Sequence, residues 1–273
     1  MSKITAYRPV NLCIYCGAKE DLRDEHIVPY SLGGLSFLPA ASCRECEAVT
    51  SAFEGRCASV NFGSFRIREN VQTRNPKKRP KNLSMISTED DVATVHLVPK
   101  EGVIATMPLF RFRPPGYLLD PTHKEIGWTG ATFEVKTDAP RQQKLWKNYK
   151  APSFSVTQNF DPDSHARLLA KIAHALTVGH LGLNGFEAWL PPYILGNDQC
   201  LSYLVGGFDA NEESLNVLHE IRYEVWPTKE KFIVLVKLRL FAQFGGPHAQ
   251  IVVGTSTSEM LDRKLPFVIE ANA

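Results

Sequence analysis

The sequence predicts an α+β protein: a small N-terminal module built on two cysteine pairs, then a larger domain with an antiparallel sheet and one long helix. Three observations carry this reading. Cys13-Ile14-Tyr15-Cys16 and Cys43-Arg44-Glu45-Cys46 are matched CxxC knuckles separated by 26 residues. Beyond residue 90, runs of β-branched and aromatic residues alternate as strands do. Residues 161–182 carry the 3.6-residue period of an amphipathic helix. The expected parts are 1–62 for the cysteine module, 63–82 for a basic linker or arm, and 83–273 for the α+β domain. At 273 residues, 44% hydrophobic and 22% charged, the chain is long enough to give the larger parts cores of their own.

The elements follow in order. The first knuckle lies between two short extended pieces near Asn11 and Gly17. Residues 23–29 read as a strand and 31–41 as a loop. Residues 43–54 read as a helix with Val49 and Phe53 on one face and Gly55 placed to close it. The basic stretch ends in the prolines Pro76 and Pro80. Residues 92–98, 102–112 and 131–137 are strand-like, divided by Pro114-Pro115-Gly116 and by glycines at 127 and 130. In the long helix Asp161 or Asp163 can cap the start and Pro162 suits the first turn. Leu168, Leu169, Ile172, Ala173 and Leu176 form the apolar stripe, and Gly182 can end it. Residues 215–226 and 232–244 read as an antiparallel pair turning near Pro227, with a further strand at 248–254.

A CxxC knuckle lets two thiolates converge on one ion, and two knuckles supply the four soft ligands that tetrahedral Zn²⁺ prefers. Four thiolates on Cys13, Cys16, Cys43 and Cys46 leave no open coordination position. Such a zinc holds a fold together and does no chemistry of its own.

Between the knuckles stands Asp24-Glu25-His26-Ile27-Val28-Pro29, followed by the turn Gly33-Gly34 and by Cys43-x-x-Cys46 at the start of a helix. This pattern resembles the zinc-containing HNH endonuclease family, whose sequences read Asp-His-Ile-x-Pro, a Gly-Gly turn and a Cys-x-x-Cys-Asn helix. The resemblance covers about residues 10–56. It implies a ββα-metal fold, with a hairpin presenting the His as general base and one divalent ion between hairpin and helix. By position, His26 matches the base, and Glu25 the acidic ligand of the catalytic metal. Glu47 stands where the helix Asn supplies a second ligand, and Glu54, two turns on, is a further candidate. The family's central Asn, which orients the His, falls near Leu38-Pro39, and neither side chain can do that work. The implied function is metal-dependent cleavage of nucleic acid, DNA favoured, with Zn²⁺ structural and Mg²⁺ or Mn²⁺ catalytic. Bacterial or phage defence is a natural setting for a nuclease of this kind. The alternative is a scaffold that keeps its zinc, has lost catalysis and only binds nucleic acid.

The chemistry agrees with that reading. Phosphodiester hydrolysis needs an activated water, and a neutral imidazole can take its proton. A hard divalent cation prefers carboxylate oxygens. On a regular strand, however, Glu25 and His26 point to opposite faces, so a shared centre demands a local twist.

Charge is unevenly placed. Residues 1–82 hold 13 Lys and Arg against 8 Asp and Glu, a net of +5, and the remainder hold 18 against 21, a net of −3. Between residues 64 and 82, Arg66, Arg68, Arg74, Lys77, Lys78, Arg79 and Lys81 face only Glu69, the footprint of a polyanion partner. Arg66 and Arg68 alternate as on one side of a strand, which suits two phosphates, and Arg74, Lys77, Lys78 and Arg79 form a less specific arm.

No apolar run reaches the length of a membrane span, and residues 1–5 lack the apolar stretch of an export signal. Cys57 and Cys200 fall outside the two pairs, which fits a reducing cytoplasm better than a disulfide framework. The larger domain offers His165, His174, His180, His219 and His248 but no HExxH, nucleophile elbow or glycine-rich phosphate loop. A histidine inside a helix's apolar stripe, as His174 is, reads as a hydrogen-bonded core residue.

Overall fold

The cysteine module is a hairpin followed directly by a helix. In the computed structural model, β1 (Leu22–His26) pairs antiparallel with β2 (Phe37–Cys43), and α1 (Arg44–Arg56) leaves β2 without a loop. The structure describes residues 6–89, 92–103, 107–128, 132–136, 143–144, 147–149, 154–155, 159–210, 213 and 215–257. Glu45 and Glu47 in the first turn of α1 and Arg56 in the last match the polarity of the helix dipole.

Three expectations for this region change. The segment 31–41 is a loop only in part, since β2 begins at Phe37; its strand character comes from pairing with β1, not from β-branched residues. Gly55 does not close α1. A methyl group there would meet nothing within 4 Å, so Gly55 is an exposed helix position. The chain stays helical through the π turn Cys57–Asn61 into α2 (Gly63–Arg68) because Phe53, Cys57, Phe62 and Phe65 all bury on the same side. Arg66 and Arg68 therefore lie on a helix, not on one side of a strand.

Beyond α2, β3 (Asn82–Glu89) pairs with β4 (Val92–Pro99) and with β7 (Phe154–Ser155), and β5 (Met107–Arg111) pairs with β6 (Thr132–Lys136). A single turn, α3 (Gly116–Leu119), lies between the strands of that second ribbon. Helix α4 (Pro162–Leu181) follows the sequence closely. The Asp161 carboxylate accepts from the Ser164 N–H at 3.0 Å, Pro162 fills the first turn, and Gly182 at φ 71° ends it. After β8 (Glu187–Ala188), α5 (Pro191–Leu195) and α6 (Leu201–Leu204) come β9 (Val205–Gly207), β10 (His219–Pro227), β11 (Phe232–Leu240) and β12 (Ala249–Ser256). These strands form an antiparallel sheet in the order β10-β11-β12-β8, with β9 also on β12.

Helix α4 is the centre of the molecule. One continuous core runs from Ile27, Leu38 and Phe53 through Leu168, Ile172 and Leu176 to Val236 and Ile251. The cysteine module thus rests on α4 and shares its core with the larger sheet. Two buried histidines fasten the arrangement. The His174 ring lies 2.8 Å from the Ile14 carbonyl between the first two cysteines, and His219 on β10 lies 2.9 Å from the Leu32 carbonyl. His174 is therefore the hydrogen-bonded core residue that its place in the stripe suggests. None of the described helices is long and apolar enough to cross a membrane.

Burial pushes His165 and His219 down from 6.5 to about 4. Between those values the unfolded chain binds protons that the native state refuses, so stability is complete above about pH 6.5 and falls as the pH drops towards 4. We expect the urea midpoint to be level near pH 7 and to decline steadily below 6.5. A midpoint that held constant down to pH 4 would contradict the burial of these rings.

Candidate active site and metal centre

The four cysteines meet because the hairpin brings the end of β2 back to the first knuckle. Cys13 N–H donates to the Ala18 carbonyl at 2.8 Å, and Gly17 at φ 77° closes the knuckle by donating to the Cys13 carbonyl at 2.9 Å. Cys43 ends β2 and Cys46 lies in the first turn of α1. All four sulfurs lie within 4.8 Å of one another, with Cys16 and Cys43 at 3.6 Å. Zinc–thiolate bonds of about 2.3 Å place tetrahedral sulfurs about 3.8 Å apart, so the spacing fits. Burial, and then the neighbouring sulfurs, push the Cys46 thiol well up; a bound cation would reverse that repulsion. The four cysteines can hold a metal ion such as zinc.

Glu25 and His26 follow a bulge in the hairpin and, paired in regular register beyond it, point to opposite faces. Arg23 pairs with Ser42 and Glu25 with Leu38, so the single residue Asp24 faces residues 39–41 of β2. Ala40 takes φ 49°, and its N–H donates to the Asp24 carboxylate at 3.3 Å. Glu25 then points inward, 5% exposed. His26 instead borders an open cavity of about 230 Å³ with Asp24, Tyr30, Leu35, Phe37 and Arg74. The Gly33-Gly34 turn directly precedes Leu35 of this wall. Gly33 has φ 96°, and a Cβ on Gly34 would stand 1.9 Å from the Val28 carbonyl oxygen, so both positions require glycine. Burial, then the charges of Lys171 and Arg74, lower His26 to about 4, which keeps the imidazole neutral across the physiological range. Its Nδ1 is buried without a hydrogen-bond partner.

The residue that sequence reasoning missed is Lys171. Its side chain leaves α4, is 0% exposed, and stands 2.6 Å from Glu25 Oε1 and 2.9 Å from Glu54 Oε1. The ammonium also donates to the carbonyl of His26 and, at 3.3 Å, to that of Ile27. Burial alone would lower its pKa, but the two carboxylates outweigh it and raise it. Glu54 is also raised, by burial first and by Glu25, against the pull of Lys171. The one available signal was a lysine within the apolar stripe, between Leu169 and Ile172.

The divalent ion expected on Glu25 and Glu47 does not fit these residues. Glu47 lies in the first turn of α1, half exposed and 3.1 Å from the Arg23 guanidinium. Glu25 is engaged by Lys171, and it is Glu54, not Glu47, that shares its cation. Among the described residues, the four cysteines are the one group of three or more His, Cys, Asp or Glu side chains placed to share an ion. Leu38, where the resemblance expects a bracing Asn, is fully buried opposite Glu25.

The basic residues divide into two kinds. Arg66 donates to the carbonyls of Ser31 at 2.5 Å and Ala58 at 2.6 Å. Arg68 is buried, donating to the Val103 carbonyl at 3.2 Å and pairing with Glu69. Arg79 holds Asn70 at 3.0 Å and the Val71 carbonyl. These three brace the chain around α2. Arg74, on the His26 cavity, and Lys77 and Lys78, on the turn Pro76–Lys78, are exposed.

Comparison with protein families, curated proteins and solved structures found no match to this chain.

Because Cys43 and Cys46 join the hairpin to α1, loss of either is expected to cost both metal and fold. Elemental analysis of purified protein should find one zinc per chain, reduced well below one in Cys46→Ser. Binding at such sites is worth on the order of 10 kcal/mol, so the variant's thermal transition should fall sharply. A zinc-free protein that melts like the wild type would refute a structural site.

Proposed function

We propose that this chain is an HNH-type nuclease that hydrolyses phosphodiester bonds of nucleic acid, DNA favoured, with His26 as general base and a structural Zn²⁺ on the four cysteines. The observation that carries this reading is His26 itself. It is an imidazole kept neutral on the wall of an open cavity shared with the exposed cation Arg74, on a strand braced by Lys171 behind it.

In this reading the His26 ring takes the proton of a water whose oxygen forms the new bond to phosphorus as the bond to the leaving oxygen breaks, and the leaving oxygen takes a proton from solvent water. The Arg74 guanidinium donates to the phosphate oxygens and offsets the charge that builds on them. Lys77 and Lys78 attract the flanking phosphates. Glu25 and Glu47 take no part as metal ligands, since Lys171 and Arg23 already engage them.

A second reading has its own support. Leu38 in place of the bracing Asn, and carboxylates already neutralised, favour a zinc-built scaffold that binds nucleic acid without cutting it.

Nicking of supercoiled plasmid, with single-stranded DNA and RNA in parallel, separates the two. Zinc-loaded His26→Ala should lose about 10²- to 10⁴-fold in rate, the usual contribution of a general base, with unchanged circular dichroism. Equal cutting by wild type and variant would remove His26 from the mechanism. Salt-sensitive binding by both proteins with no cutting of any substrate would establish the scaffold instead.

A further inference from the structure

Helix α4 sends one charged side chain into the interface between the hairpin and α1, and four oxygens converge on it. They belong to the carboxylates of Glu25 at 2.6 Å and Glu54 at 2.9 Å and to the carbonyls of His26 and, at 3.3 Å, Ile27. Two carboxylates and two carbonyls are the hard donor set that Mg²⁺, Mn²⁺ or Ca²⁺ would take from a protein. The set also lies between hairpin and helix, where the resemblance expects a divalent ion.

We propose that Lys171 is the resident cation of this cage: its ammonium occupies the place of a divalent ion, the wild-type centre takes none, and Lys171 positions His26 through the backbone carbonyl. An ammonium suits the cage on two counts. It presents three donors to converging acceptors and carries one charge beside two carboxylates. An entering metal would have to displace a fully buried ammonium, leaving that charge without partners among Leu168, Ile172 and the rest of the core. The cage stands on geometry alone. Its consequence for catalysis, that cutting needs no added divalent ion, rests on the nuclease proposal.

The test reads the cage without reading cleavage. Zinc-loaded wild-type protein is titrated with Mn²⁺ to about 1 mM, the weak end of oxygen-ligated sites, and bound Mn²⁺ is followed by electron paramagnetic resonance. No bound equivalent sensitive to Glu25→Gln is expected; one that Glu25→Gln removes would overturn the proposal. On the same wild-type protein, the slowly exchanging ammonium resonance of Lys171, assigned by its loss in Lys171→Met, should hold its position in Mg²⁺. A shift or disappearance on adding Mg²⁺ counts against the cage. Folded Lys171→Ala should gain one equivalent of Mn²⁺ on the vacated oxygens, and a folded variant that gains none also counts against it. The two wild-type measurements decide the matter whether or not that variant folds. Failure here leaves the nuclease reading standing, and an inactive wild type with these readouts intact removes only the nuclease reading.

Discussion

The buried ammonium of Lys171, paired with both Glu25 and Glu54, is the contact that joins the hairpin, α1 and α4. A charge in a fully buried position is sustained only by close opposite charge and by hydrogen bonds to its remaining protons. Glu25, Glu54 and two backbone carbonyls supply both. The partners come from the end of β1 and from α1, so neither can shift away from α4 without stranding a charge in the core. The inward turn of Glu25 is therefore set from α4, and the outward turn of His26 follows from the alternation of neighbouring strand residues.

The four cysteines act at the other end of the same hairpin. They tie the first knuckle, the end of β2 and the first turn of α1, while the bulge at Asp24 and Ala40 lies between that tie and the buried ion pair. A strand fixed at both ends has little freedom to slide, so the place of His26 on it is set. The order of the wall around His26 thus derives from contacts that His26 does not itself make.

What the sequence disclosed was local. The cysteine pairs, the glycine turn, the caps of α4 and the alternating strands β10 and β11 are signals carried within a few residues, and each appears. The strands differ in extent: β10 starts at His219 and not 215, and β11 ends at Leu240 and not 244. What it withheld depended on distant partners. Lys171 reads as an interruption of an apolar stripe until two carboxylates from the first 54 residues are set against it. Arg66, Arg68 and Arg79 read as a polyanion-binding run, yet their acceptors include carbonyls at Ser31, Val103 and Val71, which no composition reveals. Glycine at position 55 resembles a helix stop, but the burial of Phe53, Cys57 and Phe65 carries the helix past it. In each case tertiary burial overrode a correct local preference.

The span between His26 and Lys171 is 145 residues, and this bears on how the protein is made. Closing so long a loop is slow, because its entropy cost falls before the contacts that repay it. On the ribosome, the cysteine module emerges well before α4 is synthesised, with two carboxylates facing a gap that nothing yet neutralises. On the proposal that Lys171 positions His26, that positioning waits until α4 is made. A nascent chain emerging beside messenger and ribosomal RNA would carry its metal-binding knuckles early and its finished pocket only after the first two-thirds of the chain has been released.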